Sequence, residues 1–522
     1  MGQIKILDCT LRDGGYVNSN HFGYRNIGKI INALNESGID FIESGYIKDT
    51  KESYSEDITE WDSFSSFKKE QKTALKKDKN YTLMLLGEEY KIENLPKAKG
   101  KNDIIRMSFH KKSVNKALKY SKEIIKSGYK LFLQPTVTIN YTESELKGML
   151  EEINKLKPYC VAIVDTFGEM REKDIISLSK VFDKYLDKKI AIGFHAHNNL
   201  QLAFSNAIAF IKQLNETRDI VIDTSIYGMG RGAGNLPTEL VANYLNENYN
   251  THYQIEPLLK IVDNVIAKIK SKNNWGYSLE YYLSAINSVH PSYIINFMRR
   301  KTLNTVDINE LIKLISFDKK TEYNAEYANE LYNTYNDNQI DDKESYQKLK
   351  EIVKDKTILL IGPGASIKEY QKEILKVKNK KDVISISVNN RLNIETDYLF
   401  ISNKKRYENM EKRESDKLMI TSNIKTNSKS ELIFDYQKSL SRLKRVSDNS
   451  LLVILNILSQ TSKKIVLAGF DGYSNENNYY NDELSLVFNA NYIEELNHFM
   501  KESIDEYRRL MDIKTITPSK YL

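Results

Sequence analysis

Two stretches of the chain alternate short apolar runs with longer amphipathic segments. From Ile4 to about Asn250 the apolar runs are 4–9, 41–44, 81–86, 104–109, 131–137, 160–164, 190–194 and 220–225. Rich in Ile, Val, Leu and Phe and bounded by turn-forming residues, each reads as a buried strand. Between them, 27–37, 114–127, 143–156, 173–186 and 200–214 place apolar residues three and four apart, as a helix packed on one face requires. Eight strand–helix units in about 250 residues predict a (β/α)8 barrel, in which chemistry gathers at the C-terminal ends of the strands.

Beyond the barrel the pattern turns helical over 255–269, 279–289, 292–300 and 308–315, with Asp307 and Glu310 spaced as a capping box. The stretch 317–355 is poor in apolar residues and reads as a mostly helical linker. From Thr357 strand-like runs return in T-I-L-L-I, V-I-S-I-S-V, D-Y-L-F-I, K-I-V-L-A and I-K-T-I-T. These predict an open-sheet, Rossmann-like α/β domain. The expected layout is therefore a barrel over 1–250, a helical extension over 251–316, a linker over 317–355 and an α/β domain over 356–522.

Composition changes this picture little. Hydrophobic residues at 41% and charged residues at 28% are ordinary for a globular protein. A net charge of +7 over 522 residues reads as a Lys-rich solvated surface, and no nucleic-acid partner is expected. The two cysteines, Cys9 and Cys160, sit inside apolar runs and suit a reducing compartment without a disulfide. No apolar run reaches the length of a membrane span and the first residues carry no leader pattern, so a cytoplasmic location is expected.

The chemistry lies at the predicted strand ends. His195 and His197 in G-F-H-A-H-N-N are two apart, which puts both imidazoles on one side of a strand. Asp13 follows the first strand and Asn235 lies in the Gly-rich segment after the eighth. One carboxylate, two imidazoles and an amide oxygen form a mixed set suited to a divalent cation. Glu43, Arg106, Gln134 and Asp165 also fall at strand ends. Glu43 and Arg106 read either as pocket residues or as a buried ion pair, and Asp165 either as a substrate contact or as a loop cap.

T-L-R-D-G, D-T-F-G, H-x-H-N and G-x-G-A-G-N-x-x-T-E, in this order over about residues 3–300, resemble the motifs of the metal-dependent aldolase and acyl-lyase superfamily. That superfamily includes 4-hydroxy-2-oxovalerate aldolase, hydroxymethylglutaryl-CoA lyase and 2-isopropylmalate synthase. The resemblance implies a divalent metal, Mn²⁺ or Mg²⁺ first and Co²⁺ or Zn²⁺ next, held by Asp13, His195, His197 and Asn235. It gives Arg12 the stabilisation of an enolate, while Arg106, Gln134 and Asp165 are expected from their strand-end positions to contact substrate. The chain departs from its relatives where the reaction is selected. Tyr16 stands where the aldolase has His, Gly15 where the synthases have Glu, and the Gly-rich loop lacks the lyase's Cys. Tyr16, His21, Glu43 and His110 are the candidate bases, and Tyr277 in W-G-Y-S falls where the aldolase has an active-site Tyr.

The C-terminal motifs I-G-P-G-A-S-I, V-N-N and A-G-F-D-G-Y resemble the nucleotide-binding fold of bacterial CMP-sialic-acid-dependent sialyltransferases. That likeness implies nucleotide contacts at Gly362, Gly364, Ser366 and Asn389. The alternative for Gly362–Ser366 is a tight strand-to-helix turn with no ligand. His498, the one His between A-G-F-D-G-Y and the last strand, does not match the family's catalytic His in its setting. Together the two likenesses imply a lyase cleaving or forming a carbon–carbon bond beside a 2-keto acid, with an aldehyde as second substrate. The fused domain would bind a nucleotide or nucleotide-sugar, in surface polysaccharide synthesis. The alternatives are an acyl-CoA-dependent condensing enzyme, or a catalytic barrel with a docking or regulatory tail. A homo-oligomer or an aldehyde-processing partner is compatible with these readings.

Overall fold

The computed structural model describes residues 2–49, 56–100, 102–411, 413, 417–427, 430–441, 446–474, 479 and 490–522. The chain divides into two compact units, Met1–Pro291 and Ser292–Leu522.

The first unit is a closed barrel of eight parallel strands: β1 (Ile4–Asp8), β2 (Phe41–Ile47), β4 (Asn80–Leu86), β5 (Asp103–Phe109), β6 (Lys130–Pro135), β7 (Cys160–Asp165), β8 (Ala191–Ala196) and β9 (Ile220–Thr224). Pairing of β1 with both β2 and β9 closes the ring. The short β3 (Glu60–Trp61) adds to the outer edge of β2 and has no counterpart among the predicted strands, since two residues carry no readable period. Residues facing outward from the strands pack against the surrounding helices in one continuous core that includes Ile42, Leu83, Ile105, Leu133, Ile163 and Phe194. Leu7, Cys9, Phe41, Ile104, Phe132, Cys160, Ala191 and Val221 fill a separate, smaller cluster. Both thiols are free and buried there, and burial pushes their pKa values up.

The second unit is an open, wholly parallel sheet in the order β14-β13-β12-β11-β10-β15-β16. Its strands are β10 (Thr357–Ile361), β11 (Val383–Val388), β12 (Tyr398–Ile401), β13 (Leu418–Thr421), β14 (Ser430–Phe434), β15 (Lys464–Ala468) and β16 (Asp512–Thr515). β13 and the edge strand β14 extend the sheet past the five runs read from sequence. The helix Ser450–Ser459 is apolar on nearly every face and buried accordingly. The boundary between the compact units falls within the stretch read as one helical extension. Helices Ala325–Tyr335 and Lys343–Val353 occupy the stretch read as a linker, and Leu349 and Val353 join the second unit's core. No helix of the described residues is long and apolar enough to cross a membrane.

Candidate metal centre

At the C-terminal mouth of the barrel the turn after β1 delivers Arg12 and Asp13, β2 delivers Glu43, β5 Arg106, β8 His195 and β9 Asp223. These six side chains close a ring of contacts. Arg12 Nη1 donates to Asp13 Oδ2 at 2.5 Å and its Nε to Glu43 Oε2 at 2.8 Å. Arg106 Nη1 donates to the same glutamate oxygen at 2.7 Å, and its Nη2 donates to Asp223 Oδ2. His195 Nδ1 donates to that aspartate oxygen at 3.0 Å, while its Nε2 lies 3.4 Å from Asp13 Oδ2. All six are buried. Three carboxylates against two guanidiniums leave one negative charge in excess when His195 is neutral, and a buried excess charge is costly unless a counter-charge meets it.

The imidazoles are oriented to supply that counter-charge with ligands. With Nδ1 of His195 donating to Asp223, its Nε2 lone pair turns toward Asp13, the carboxylate–histidine arrangement that sets ligand tautomers at metal centres. His197 Nδ1 donates to the Arg231 carbonyl at 3.1 Å, and among the described residues its Nε2 has no hydrogen-bond partner. One ligating atom from each of Asp13, His195 and His197 lies within 4.8 Å of the others. Burial holds the His197 pKa down at about 4 despite Asp13 nearby, so that imidazole is neutral at pH 7. Burial also works against charge on His195, yet its bonds to Asp13 and Asp223 prevail and raise its pKa. A divalent cation would take the place of that proton.

Asn235 completes the set from the Gly-rich turn after β9. Its Nδ2 faces Met229 O at 3.4 Å and Cys9 Sγ at 3.6 Å, and its Oδ1 is buried without a hydrogen-bond partner. An orphaned buried oxygen beside two imidazoles and a carboxylate fits a cation ligand. The turn's glycines keep that amide in place. A Cβ on Gly230 would come 2.4 Å from Asn235 Nδ2, and Gly234, at φ +90°, approaches the Gly228 carbonyl too closely for any side chain. Asn199 latches the turn, accepting from Ala233 N at 2.9 Å and donating to Phe167 O at 2.8 Å. The T-E that ends the motif is structural: Thr238 donates to Asp8 Oδ2 at 2.6 Å, and Glu239 accepts from Tyr227 N at 3.0 Å.

Other predicted residues fall at different places around this centre. Asp165 caps the loop after β7, accepting from Glu169 N at 2.9 Å and Met170 N at 3.2 Å, and burial raises its pKa to about 8. Gln134 is buried at the end of β6. Tyr16 is half exposed, packed edge-on against Tyr46 at 6.3 Å. His21 is exposed and its Nδ1 pairs with the Ser19 carbonyl at 2.8 Å. Tyr277 is exposed. His110 Nδ1 faces Thr136 Oγ1 at 2.9 Å. Four residues that sequence reasoning passed over belong to the mouth: Asp223, Tyr46, Arg231 and His290. Asp223 had a visible signal, a lone carboxylate within the apolar run I-V-I-D-T.

In the second unit, the candidate nucleotide residues are engaged with protein. Ser366 donates through its backbone N to Asp471 Oδ2 at 2.8 Å and through Oγ to Asp471 Oδ1 at 2.5 Å. Gly362 and Gly364 lie so close to Gly469 and its successors that any Cβ would come within 2.7 Å of a neighbouring atom. Asn389, at φ +51°, accepts from Ser402 N at 2.9 Å and Asn403 N at 3.3 Å.

Residues 96–265 match the HMGL-like family model. The 4-hydroxy-2-oxovalerate aldolase of Geobacillus genomosp. 3 is 29% identical over 247 residues, 47% of this chain and 70% of that protein. Its namesake from Carboxydothermus hydrogenoformans is 24% identical over 336 residues, 59% of this chain and 90% of that one. Among solved structures, the N-terminal domain of a candidate aldolase from Bacteroides vulgatus is 28% identical, with a TM-score of 0.49, covering 56% of this chain and 96% of that domain. Residues 96–265 of the barrel are thus similar to the HMGL-like family, and the barrel is similar to 4-hydroxy-2-oxovalerate aldolases.

Proposed function

We propose that the barrel is a divalent-metal-dependent carbon–carbon lyase that cleaves or forms the bond beside a short 2-keto acid such as pyruvate, with an aldehyde as the other substrate. The observation that carries this reading is the set of donors, namely Asp13, the Nε2 atoms of His195 and His197, and the orphaned Asn235 oxygen, beside a ring that is one negative charge in excess when His195 is neutral. A cation held there would act as a Lewis acid on the carboxylate and keto oxygens of the substrate.

The chain's own groups supply the rest. Arg12 spends Nε on Glu43 and Nη1 on Asp13, and among the described residues its Nη2 has no protein partner. That donor is fixed in direction by two buried carboxylates and suits the charge that develops on an enolate oxygen. Glu43 is bound by both arginines and serves in this reading to aim them rather than to take a proton. Tyr16, at the rim beside Tyr46, is placed to donate a hydrogen bond to the aldehyde or hydroxyl oxygen. Asp223 sets the His195 tautomer.

For the second unit we keep the reading of a nucleotide- or nucleotide-sugar-binding domain, consistent with service in surface polysaccharide synthesis. It is supported by the parallel open sheet and by the polar residues crowding its strand ends, where ligands of such sheets bind. A thermal shift with CMP, CDP or UDP compounds tests that part. The barrel is tested by incubating the full chain with Mn²⁺ and pyruvate in D2O. The expected result is deuterium at the pyruvate methyl group and, with an aldehyde added, a new carbon–carbon bond. Thiol release from acetyl-CoA without methyl exchange would instead assign the barrel to the condensing enzymes.

A further inference from the structure

Arg231 occupies the rim of the metal centre, and among the described residues its guanidinium is in direct contact with no carboxylate. Its backbone N donates to Asp13 Oδ1 at 3.2 Å and its carbonyl accepts from His197 Nδ1 at 3.1 Å, so the side chain starts at the edge of the donor set. The guanidinium makes two contacts. Nη2 meets His290 Nε2, and the group lies over the Tyr16 ring at 5.5 Å. Neither partner is an anion, and among the described residues no carboxylate pairs with this guanidinium. The nearby acids are engaged elsewhere, Asp13 with Arg12 and Glu169 with the Ser288 hydroxyl.

A guanidinium does not deprotonate in a protein, so a partly buried one without a counter-ion is a standing anion receptor. His290 reinforces this. Burial, then Arg231 and His110, hold its pKa down at about 4, so it accepts the arginine's hydrogen bond without adding or removing charge. The Phe167 ring lies edge-on to that of His290 at 6.4 Å.

We propose that Arg231, positioned by His290 and Tyr16, recognises a carboxylate or phosphate on the second substrate, so that the carbonyl compound joined to or released from the enolate carbon is itself anionic. This inference rests on the reading of the preceding subsection. A 2-keto acid has one carboxylate and one keto oxygen, and the donor set with Arg12 already provides for both. A second guanidinium on the rim is available to a different charged group.

The test uses the full chain with Mn²⁺. Methyl exchange of pyruvate in D2O is measured first, and its absence in wild type overturns the lyase reading itself. With exchange established, kcat/KM is compared for succinic semialdehyde against butanal and for glyceraldehyde 3-phosphate against glyceraldehyde, which separates a carboxylate from a phosphate. The anionic member should be favoured by about tenfold or more in one pair, on the scale of a charge-assisted hydrogen bond. Arg231→Met should bring that ratio near one and weaken calorimetric binding of succinate or phosphate to match. Arg231→Lys should restore part of the preference, and it serves as the test if the Met variant loses its metal. No preference in either wild-type pair, a ratio unmoved by Arg231→Met, or a rise in the pyruvate KM for exchange equal to the lost preference would each overturn the assignment.

Discussion

The barrel mouth and the strand ends of the second sheet are both crowded with polar side chains, yet they use them differently. In the second sheet Ser366 is taken up by Asp471, Asn389 binds the amides of Ser402 and Asn403, and Gly362 and Gly364 are glycines because the next strand's loop lies against them. There polarity mostly holds the turns, and among the described residues only scattered atoms such as Asn390 Oδ1 and Ser402 Oγ are left without a hydrogen bond. At the barrel mouth the atoms left over among the described residues stand together: the Asn235 oxygen, the His197 Nε2 and one face of Arg12, beside a His195 Nε2 that meets only Asp13 and an Arg231 guanidinium that meets no carboxylate. Folding satisfies most buried polar groups, so several left open side by side mark a candidate ligand site better than one orphaned atom does.

The comparison breaks most visibly at the ligands. Asp13→Asn or His195→Ala should abolish turnover, and metal analysis should fall from about one divalent ion per chain to none while circular dichroism stays native-like. Retained metal in both variants would leave the remainder without a cation. A smaller effect is expected for Arg12→Lys, which keeps the charge but loses the planar fork that joins Glu43 to Asp13. Turnover and pyruvate methyl exchange should fall together by more than about tenfold, with metal content held. Exchange at the wild-type rate would remove Arg12 from the enolate. Smallest on the chemistry is Gly364→Ala, whose methyl must displace the Asp471 carboxylate or the Gly469 carbonyl. It should cost the second unit about 1–3 kcal/mol in chemical denaturation while metal content stays near one per chain. An unchanged unfolding midpoint would mean that the Gly364 turn yields easily and that a ligand has room to enter.

What was legible in the sequence follows from what periodicity can encode. The eight barrel strands were readable because buried parallel strands are continuous apolar runs, and the strand-end position of Asp13, His195, His197 and Asn235 came with them. β13 and β14 of the second sheet were hidden because L-M-I-T is only four residues long, too short to show a period, and S-E-L-I-F, at the sheet's edge, mixes exposed with buried positions. Asp223 lay in plain view, but its partners Arg106 and His195 stand 117 and 28 residues away. A role that consists of bridging two such residues has no local spacing to betray it. Arg231 was hidden differently: its backbone belongs to the Gly-rich motif, and only the fold sets its side chain against His290.

The ring of six side chains has a consequence for how the barrel is made. Its members come from β1, β2, β5, β8 and β9, so no fragment of the sheet contains the centre, and the donors converge only when β1 meets β9 and β2. Until then the excess negative charge is spread along an open ribbon with nothing to attract a cation strongly. A divalent ion is thus a clasp on the finished cylinder: by mass action, a concentration of 100 times its Kd adds about 2.7 kcal/mol in favour of closure. Metal availability would govern how long the barrel lasts as well as how fast it works.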